Sequence, residues 1–446
     1  MRVQSTDRMM NSMEMPVNIV DTSMKILKKY PLCSRCLGRQ YALLGKQLSN
    51  LERGEAIKTV LLMEIHNKLM RNSDAYREEL KALARSQFKR AQILYENLYG
   101  EKISEEKCYI CSNLWEKLDI IAEKVINLIE NIEFNTFLVG CRIPVEIIEK
   151  EDNLRAEFKL EYGESFKNNF NRELGRLIRD KLNKEVDFQK PEITIIVEPF
   201  TEKVEIVISP LFIYGRYRKL VRGLPQTRYR KHDKLGRVVY NTSIEEIIGE
   251  PLLEAAHGEE FKFHGAGRED IDVRMLGNGR PFIVEIKRPK KRNLDLKKLE
   301  EVINEKANGL VEVTGLRYSN RHEVRELKKM AEISKKIYRA IVEFEKAVSD
   351  EDIEKILREL NDITVLQRTP FRVLHRRKDK VRRKRVYDIK VRKLGDNVLE
   401  IILTCQGGLY IKEFIHGDEG RTNPNIADII NNTVTKIELD VLDIIY

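Results

Sequence analysis

The segment Gly265-Ala-Gly-Arg-Glu-Asp-Ile-Asp272 sets two glycines before an arginine and then two carboxylates, Asp270 and Asp272, two positions apart. Glycines permit a tight backbone approach. Residues two apart on a strand face the same side, although Asp270, at the strand entry, can still belong to the loop. A carboxylate beside Arg268 stays ionised at neutral pH and can act as a nucleophile or a metal ligand. In isolation the same residues also read as a surface loop with an Arg–Asp pair worth little. A nucleotide-cofactor loop is poorly supported, because GAGRED lacks the third glycine of G-x-G-x-x-G. The competing chemistry is hydrolytic: Asp272 lies thirteen residues before Glu285-Ile-Lys287, a D…E-x-K pattern. Two carboxylates there would hold a divalent cation while the lysine places a water, as in a metal-dependent nuclease.

A second constellation is thiol-based. Cys33-Ser-Arg-Cys36 and Cys108-Tyr-Ile-Cys111 are two C-x-x-C pairs. Each pair can grip one metal ion from a tight turn, and two pairs complete a tetrahedral thiolate site, so structural Zn2+ is expected. An iron–sulfur cluster is the other metal reading. A disulfide is disfavoured in a reducing cytosol, and a redox motif needs only one pair. Cys141 and Cys405 sit among apolar residues and read as buried small hydrophobes.

These groups need a scaffold, and the chain is long enough for two or three domains at 446 residues. Its 81 Lys and Arg against 71 Asp and Glu give a formal charge of +10. With 42% hydrophobic and 34% charged residues, it is neither a disordered nor a collagen-like composition. No apolar run approaches the roughly 18 residues of a membrane span, and residues 1–15 carry no signal-type apolar stretch. The expected setting is therefore cytoplasmic, with no membrane association, and the basic surplus favours a polyanionic partner.

Helical spacing marks the stretches between the cysteine pairs, followed by helices at 115–132 and 164–185 and the strands TFLVGCRI, ITIIVEPF and KVEIVISPLFI. Residues 214–237 carry nine Lys/Arg with Tyr214, Tyr217 and Tyr229 interleaved. They read as a basic linker whose guanidinium groups contact phosphates while the tyrosines stack on unpaired bases. Beyond it, SIEEIIGEPLLEAA is a helix with capping-box spacing from Ser243 to Glu246. The GAGRED region reads as strand, Gly loop, strand, a turn at Gly277–Gly279, and strand. The run 376–385, RRKDKVRRKR, holds eight basic residues and one acid. It reads as a hairpin arm whose tip (Arg376, Arg377, Lys378, Arg382, Arg383, Arg385) reaches over a nucleic acid. The division expected is a loose tail at 1–20, an accessory domain at 21–225 and a second domain at 226–446. Both domains are of the α+β class, the second around a largely antiparallel sheet.

The arrangement closing in SPLFIYGRYRKLVRGLPQ resembles the THUMP domain of RNA-modifying enzymes. Arg-x-Asp after a Gly loop resembles the nucleophile motif of pseudouridine synthases. Lys336-Ile-Tyr338-Arg-Ala340-Ile-Val342 is similar to the K-x-Y-x-A-x-V strand of that superfamily. Gly408-Leu-Tyr-Ile411-Lys412-Glu-Phe resembles its third element, and Leu439 in E-L-D-V-L-D its apolar closure. Together with QRTPFRVLHRR (367–377), these motifs resemble the archaeal tRNA pseudouridine(54/55) synthase family over nearly the whole chain. The resemblance implies an isomerase that converts uridines 54 and 55 of the tRNA T-loop. It gives Asp270 the nucleophile role (Asp272 being the second candidate), Tyr338 the base-stacking role, and Lys412 the pairing with Asp270. Ile411 and Leu439 would line the pocket, and Arg268 would hold the extruded nucleotide. It also implies a four-cysteine zinc site, no organic cofactor, tRNA as partner and no protein partner. The alternatives are the D…E-x-K nuclease and a non-catalytic tRNA-binding adaptor.

Overall fold

The computed structural model describes residues 18–71, 75–229 and 240–445. Most of the expected tail therefore lies outside the described residues, as do Arg230, Lys231, Lys234 and Arg237 of the basic stretch. The chain forms two compact units that divide at 207/208, with residues 132–134 belonging to the second.

The first unit opens with helices at Ile19–Lys29, Asn50–Leu69, Arg77–Arg85 and Lys89–Tyr99. The second of these starts at a capping box, Ser49 with Glu52, which satisfies two N-terminal amides. It crosses the short helix Ser34–Gly38 with the backbones touching: a side-chain carbon on Gly54 would lie 1.7 Å from the Ser34 carbonyl, and one on Gly38 2.0 Å from that of Asn50. This contact seats the turn that carries Cys33 and Cys36. Strands β1 (Thr136–Cys141), β2 (Glu185–Val186), β3 (Ile193–Glu198) and β4 (Lys203–Ile208) follow. They form a sheet of order β2-β1-β3-β4. The helix Phe166–Leu182 packs against β1, and Leu118–Ile129 against that helix, with Val125, Phe170 and Leu174 on their buried faces.

The second unit is built on a ten-stranded sheet. Its strands are β5 (Leu211–Lys219), β6 (Glu260–Gly265), β7 (Arg274–Lys287), β8 (Val311–Ser319), β9 (Lys335–Phe344), β10 (Ile363–Arg368), β11 (Val381–Gly395), β12 (Val398–Gln406), β13 (Thr422–Asn423) and β14 (Val434–Ile445). The order is β13-β10-β11-β12-β9-β14-β7-β5-β8, with β6 on β7. Among the described residues β14 pairs with β7 in parallel and the other neighbouring strands pair antiparallel, so the sheet is mainly antiparallel. The helices Ile244–Ala256 and Leu296–Ala307 bury Ile248, Leu252 and Ile303 in the same core as Phe282, Val284 and Val313.

Three local expectations are corrected. KVEIVISPLFI is not one strand: Pro210 lacks an amide hydrogen and the chain leaves the ladder there. The residues after it enter the second sheet as β5 between β7 and β8, so the unit boundary precedes the expected 225. The first part of the basic stretch is therefore strand, not linker. Tyr217 and Lys219 alternate onto its buried face, and Tyr214 lies under the Arg317 guanidinium, 4.2 Å from its ring centre. Finally, Gly277 and Gly279 make no hairpin turn. Both have positive φ within a continuous β7, where they let neighbouring backbone come close. A side-chain carbon on Gly277 would lie 1.8 Å from the Leu442 carbonyl. Such glycines mark a bulge or bend in a strand.

Candidate active site and metal centre

The Gly loop between β6 and β7 is held by polar side chains, most of them buried. Gly267 takes φ +79°, a conformation that glycine adopts freely. Gln226 Nε2 donates to the Gly267 carbonyl at 2.9 Å and to Tyr217 Oη at 2.8 Å. Tyr217 Oη donates in turn to Glu269 at 3.1 Å. Arg280 clamps the same loop, through Nε to Glu269 Oε2 at 2.8 Å and through Nη1 to the Ala266 carbonyl at 2.7 Å. Both side chains of that ion pair are 1% exposed. Lys219 Nζ reaches the carbonyls of Asp270 and Ile271 at 3.2 and 2.7 Å. Sequence reasoning missed Glu269, Arg280 and Lys219 as loop supports. The alternation along LFIYGRYRK, which turns Tyr217 and Lys219 the same way, was the available signal.

Residues 271–272 form a turn, with the Val273 amide donating to the Asp270 carbonyl at 3.1 Å. Strand alternation therefore does not apply, and the two aspartates take different partners. Asp270 Oδ2 lies 3.0 Å from Arg372 Nη1. Asp272, 59% exposed, receives Lys412 Nζ at 2.5 Å. Burial pushes the Asp272 carboxyl up, but the Lys412 hydrogen bond and charge outweigh it and hold it below the usual carboxylate range. The pairing expected between Lys412 and Asp270 is thus replaced by one between Arg372 and Asp270.

Asp270, Arg268, Tyr338, Lys412, Ile411 and Leu439 all line one cavity of about 770 Å3. Motifs separated by up to 171 residues (Arg268 to Leu439) meet there because β9 lies next to β14 and β12 in the sheet. Burial pushes the Tyr338 phenol up, so it presents a neutral ring to the cavity. Lys336, two residues before it on β9, lines the same cavity at 6% exposure. Burial, with Arg280 nearby, lowers its amine to about 8. An ordinary lysine amine titrates at 10.5, so the unfolded chain binds this proton more tightly than the folded one. The cost is fully present below pH 8 and fades as pH rises towards 10.5. Lys336→Met is therefore expected to raise stability at pH 7 by on the order of 2 kcal/mol. The gain should shrink steadily in denaturant titrations between pH 8 and 10.5. A gap independent of pH would show that the amine is not the source.

The basic run forms a hairpin, as expected, but its residues are divided. The β10–β11 connection, with a 3-10 turn at Phe371–Arg376, carries the first of them, and β11 the rest. Arg377 and Arg382 line the cavity, joined by Lys328 and Lys384, two lysines the sequence reading had not selected. Arg385 faces away and pairs with Asp362 at 2.7 Å. Lys378 and Arg383 are exposed, and the side chain of Arg376 lies outside the described residues. The nuclease constellation does not assemble. Asp272 is taken by Lys412, Glu285 Oε2 lies 3.0 Å from His264 Nε2, and Lys287 pairs with Glu260.

In the first unit the ligand atoms of Cys33, Cys36, Cys108 and Cys111 all lie within 4.8 Å of one another. The sulfurs of Cys33 and Cys111 are 3.7 Å apart. A tetrahedron of thiolates around zinc, with bonds near 2.3 Å, requires S···S edges of about 3.8 Å, so the donor set fits a metal ion. The Cys36 amide donates to Cys33 Sγ at 3.4 Å. Buried Lys58 donates to the carbonyls of Leu32, beside Cys33, and of Ser86, at 2.8 and 2.6 Å. Cys141 and Cys405 are buried, as expected.

Two family models match: "Pus10, C-terminal" over residues 212–445 and "Pus10 THUMP domain, archaeal" over 121–198. The first begins at the strand that opens the ten-stranded sheet and spans the whole of the aspartate cavity. The class is thereby defined: a pseudouridine synthase with a THUMP domain. The tRNA pseudouridine synthase Pus10 of Thermofilum pendens is 46% identical over 419 residues, covering 94% of each chain. That of Methanocaldococcus jannaschii is 44% identical over 437 residues, covering 94% of this chain and 93% of the relative. The chain belongs to the tRNA pseudouridine synthase Pus10 family. Among solved structures, a Cbf5-Nop10-Gar1 complex has a chain 14% identical with a TM-score of 0.28, covering 52% of this chain and 58% of that one.

Proposed function

We propose that the chain converts uridine to pseudouridine in tRNA, at positions 54 and 55 of the T-loop, with Asp270 as the nucleophile. The observation that carries this reading is the meeting of Asp270 with Tyr338 in one basic-rimmed cavity. The reaction breaks the bond from C1′ to N1 and forms one from C1′ to C5, with no change of redox state. A carboxylate starts it, by attack on the nucleotide or by proton abstraction. The base must first leave its stack, at a cost of about a few kcal/mol. Stacking on the neutral Tyr338 ring offsets part of that cost, while Ile411 and Leu439 keep water from the pocket. Arg268, at the mouth, would hold the flipped nucleotide. The four cysteines would bind structural zinc, and the cellular setting would be cytoplasmic.

Mapping pseudouridine in a T-loop transcript after treatment with the protein tests the target. Conversion at uridines 54 and 55 is expected, and conversion confined to uridines outside the T-loop would refute it. The cavity rim is tested by Arg382→Glu with Lys384→Glu. Each lost phosphate contact is expected to flatten the dependence of log affinity on log salt by about one unit. An unchanged slope in filter-binding titrations would remove these residues from the RNA path.

A further inference from the structure

We propose that Arg372, locked in place by Glu413, is the residue that aims the Asp270 carboxylate, and that Lys412 does not. The proposal rests on the reading of Asp270 as nucleophile. Arg372 lies in the Phe371–Arg376 turn of the β10–β11 connection, a segment that holds no catalytic role in the reading above. That turn is pinned on both sides of it. The Phe371 amide donates to Asp418 Oδ2 at 3.1 Å, the Arg421 guanidinium covers the Phe371 ring at 4.5 Å, and Val373 is buried.

The guanidinium then serves two carboxylates at once. Its Nε donates to Glu413 Oε1 at 2.5 Å, and its Nη1 lies 3.0 Å from Asp270 Oδ2. Glu413 is 1% exposed, on the helix Ile411–His416, so the far end of the bridge is fixed in the core. A planar guanidinium held at one edge has its remaining donors fixed in direction, and the carboxylate that takes one is oriented with it. Lys412 is a poor candidate for that duty. Its ammonium is 2.5 Å from Asp272 Oδ2, and a lysine is a rotatable point charge rather than a fork.

Arg372→Gln is expected to lower the single-turnover rate of uridine conversion by about 100-fold, the loss that a displacement of about 1 Å at a reacting group produces. The tRNA dissociation constant should stay within about threefold, since the rim cations are untouched. Methylguanidinium added to Arg372→Ala should recover at least about tenfold of the rate, because the missing group is a planar donor. Glu413→Gln should give a smaller loss than Arg372→Gln, and the double variant should be no worse than Arg372→Gln alone. A rate within threefold of wild type for Arg372→Gln overturns the proposal, and so does a Lys412→Met loss that exceeds the Arg372→Gln loss. If Arg372→Gln does not fold, by thermal unfolding, Arg372→Lys decides. It keeps the charge but cannot bridge, so a rate about tenfold down supports the proposal and a wild-type rate ends it. Failure of the underlying reading looks different: Asp270→Ala would itself stay active, whereas an inactive Asp270→Ala beside a fully active Arg372→Gln removes only the positioning role.

Discussion

Asp270→Ala is expected to lower uridine conversion in a tRNA transcript by about four orders of magnitude or more, the scale on which removal of a covalent nucleophile acts. The tRNA dissociation constant should change by less than about threefold, because affinity comes from phosphate contacts. Asp270 is only one small group in a cavity rimmed by Lys328, Arg377, Arg382 and Lys384. The loop backbone should persist in the variant, since Lys219 grips carbonyls rather than the Asp270 side chain. Arg280 grips Glu269 and Ala266, so that anchor is untouched as well. The comparison variant is Asp272→Ala. Its carboxylate is more than half exposed and tied to Lys412, so a much smaller loss of rate is expected. Reversal of the two results, read by pseudouridine mapping, would move the nucleophile to Asp272.

Removal of the metal should have the largest effect on stability. A four-thiolate zinc site contributes on the order of 10 kcal/mol to the folding of the segment that it closes. The cysteines here join a turn at 33–36 to one at 108–111, so the helices between them lose their closure when the ion leaves. Cys36→Ser, or exhaustive chelation, is therefore expected to abolish the unfolding transition of the first unit. The second unit has its own core, with Phe282, Val342 and Leu403 buried, and should keep a separate transition. Metal analysis of the untreated protein should give about one zinc per chain. Visible absorbance with iron in place of zinc would identify a cluster instead. A wild-type unfolding curve for metal-free protein would refute the structural role altogether.

The candidate site residues could be picked out because each belongs to a short pattern set by local physics. Two C-x-x-C turns announce a metal site before any contact is known. Arg-x-Asp after glycines, and lysine and tyrosine two apart on an apolar strand, likewise carry their geometry within a few residues. Periodicity also gave the long helices and most strands, since burial of one face imposes period 3.6 or 2 along the chain. The arginine-rich segments were less legible. Charge alone does not distinguish Arg382, which lines the cavity, from Arg385, which is tied to Asp362. Tyr217 and Lys219 read as ligands for RNA and proved to be internal supports of the Gly loop.

By itself the sequence determined the kinds of groups available: two candidate aspartates, a tyrosine on an apolar strand, two pairs of thiols and a surplus of basic charge. The tertiary structure decided which of them meet. Whether Asp270 faces Arg372 or Lys412 depends on a two-residue turn and on a hairpin connection 100 residues downstream. Ion pairs form between side chains that the sheet brings within about 4 Å, and Coulomb energy falls too steeply with distance for sequence spacing to stand in for that proximity.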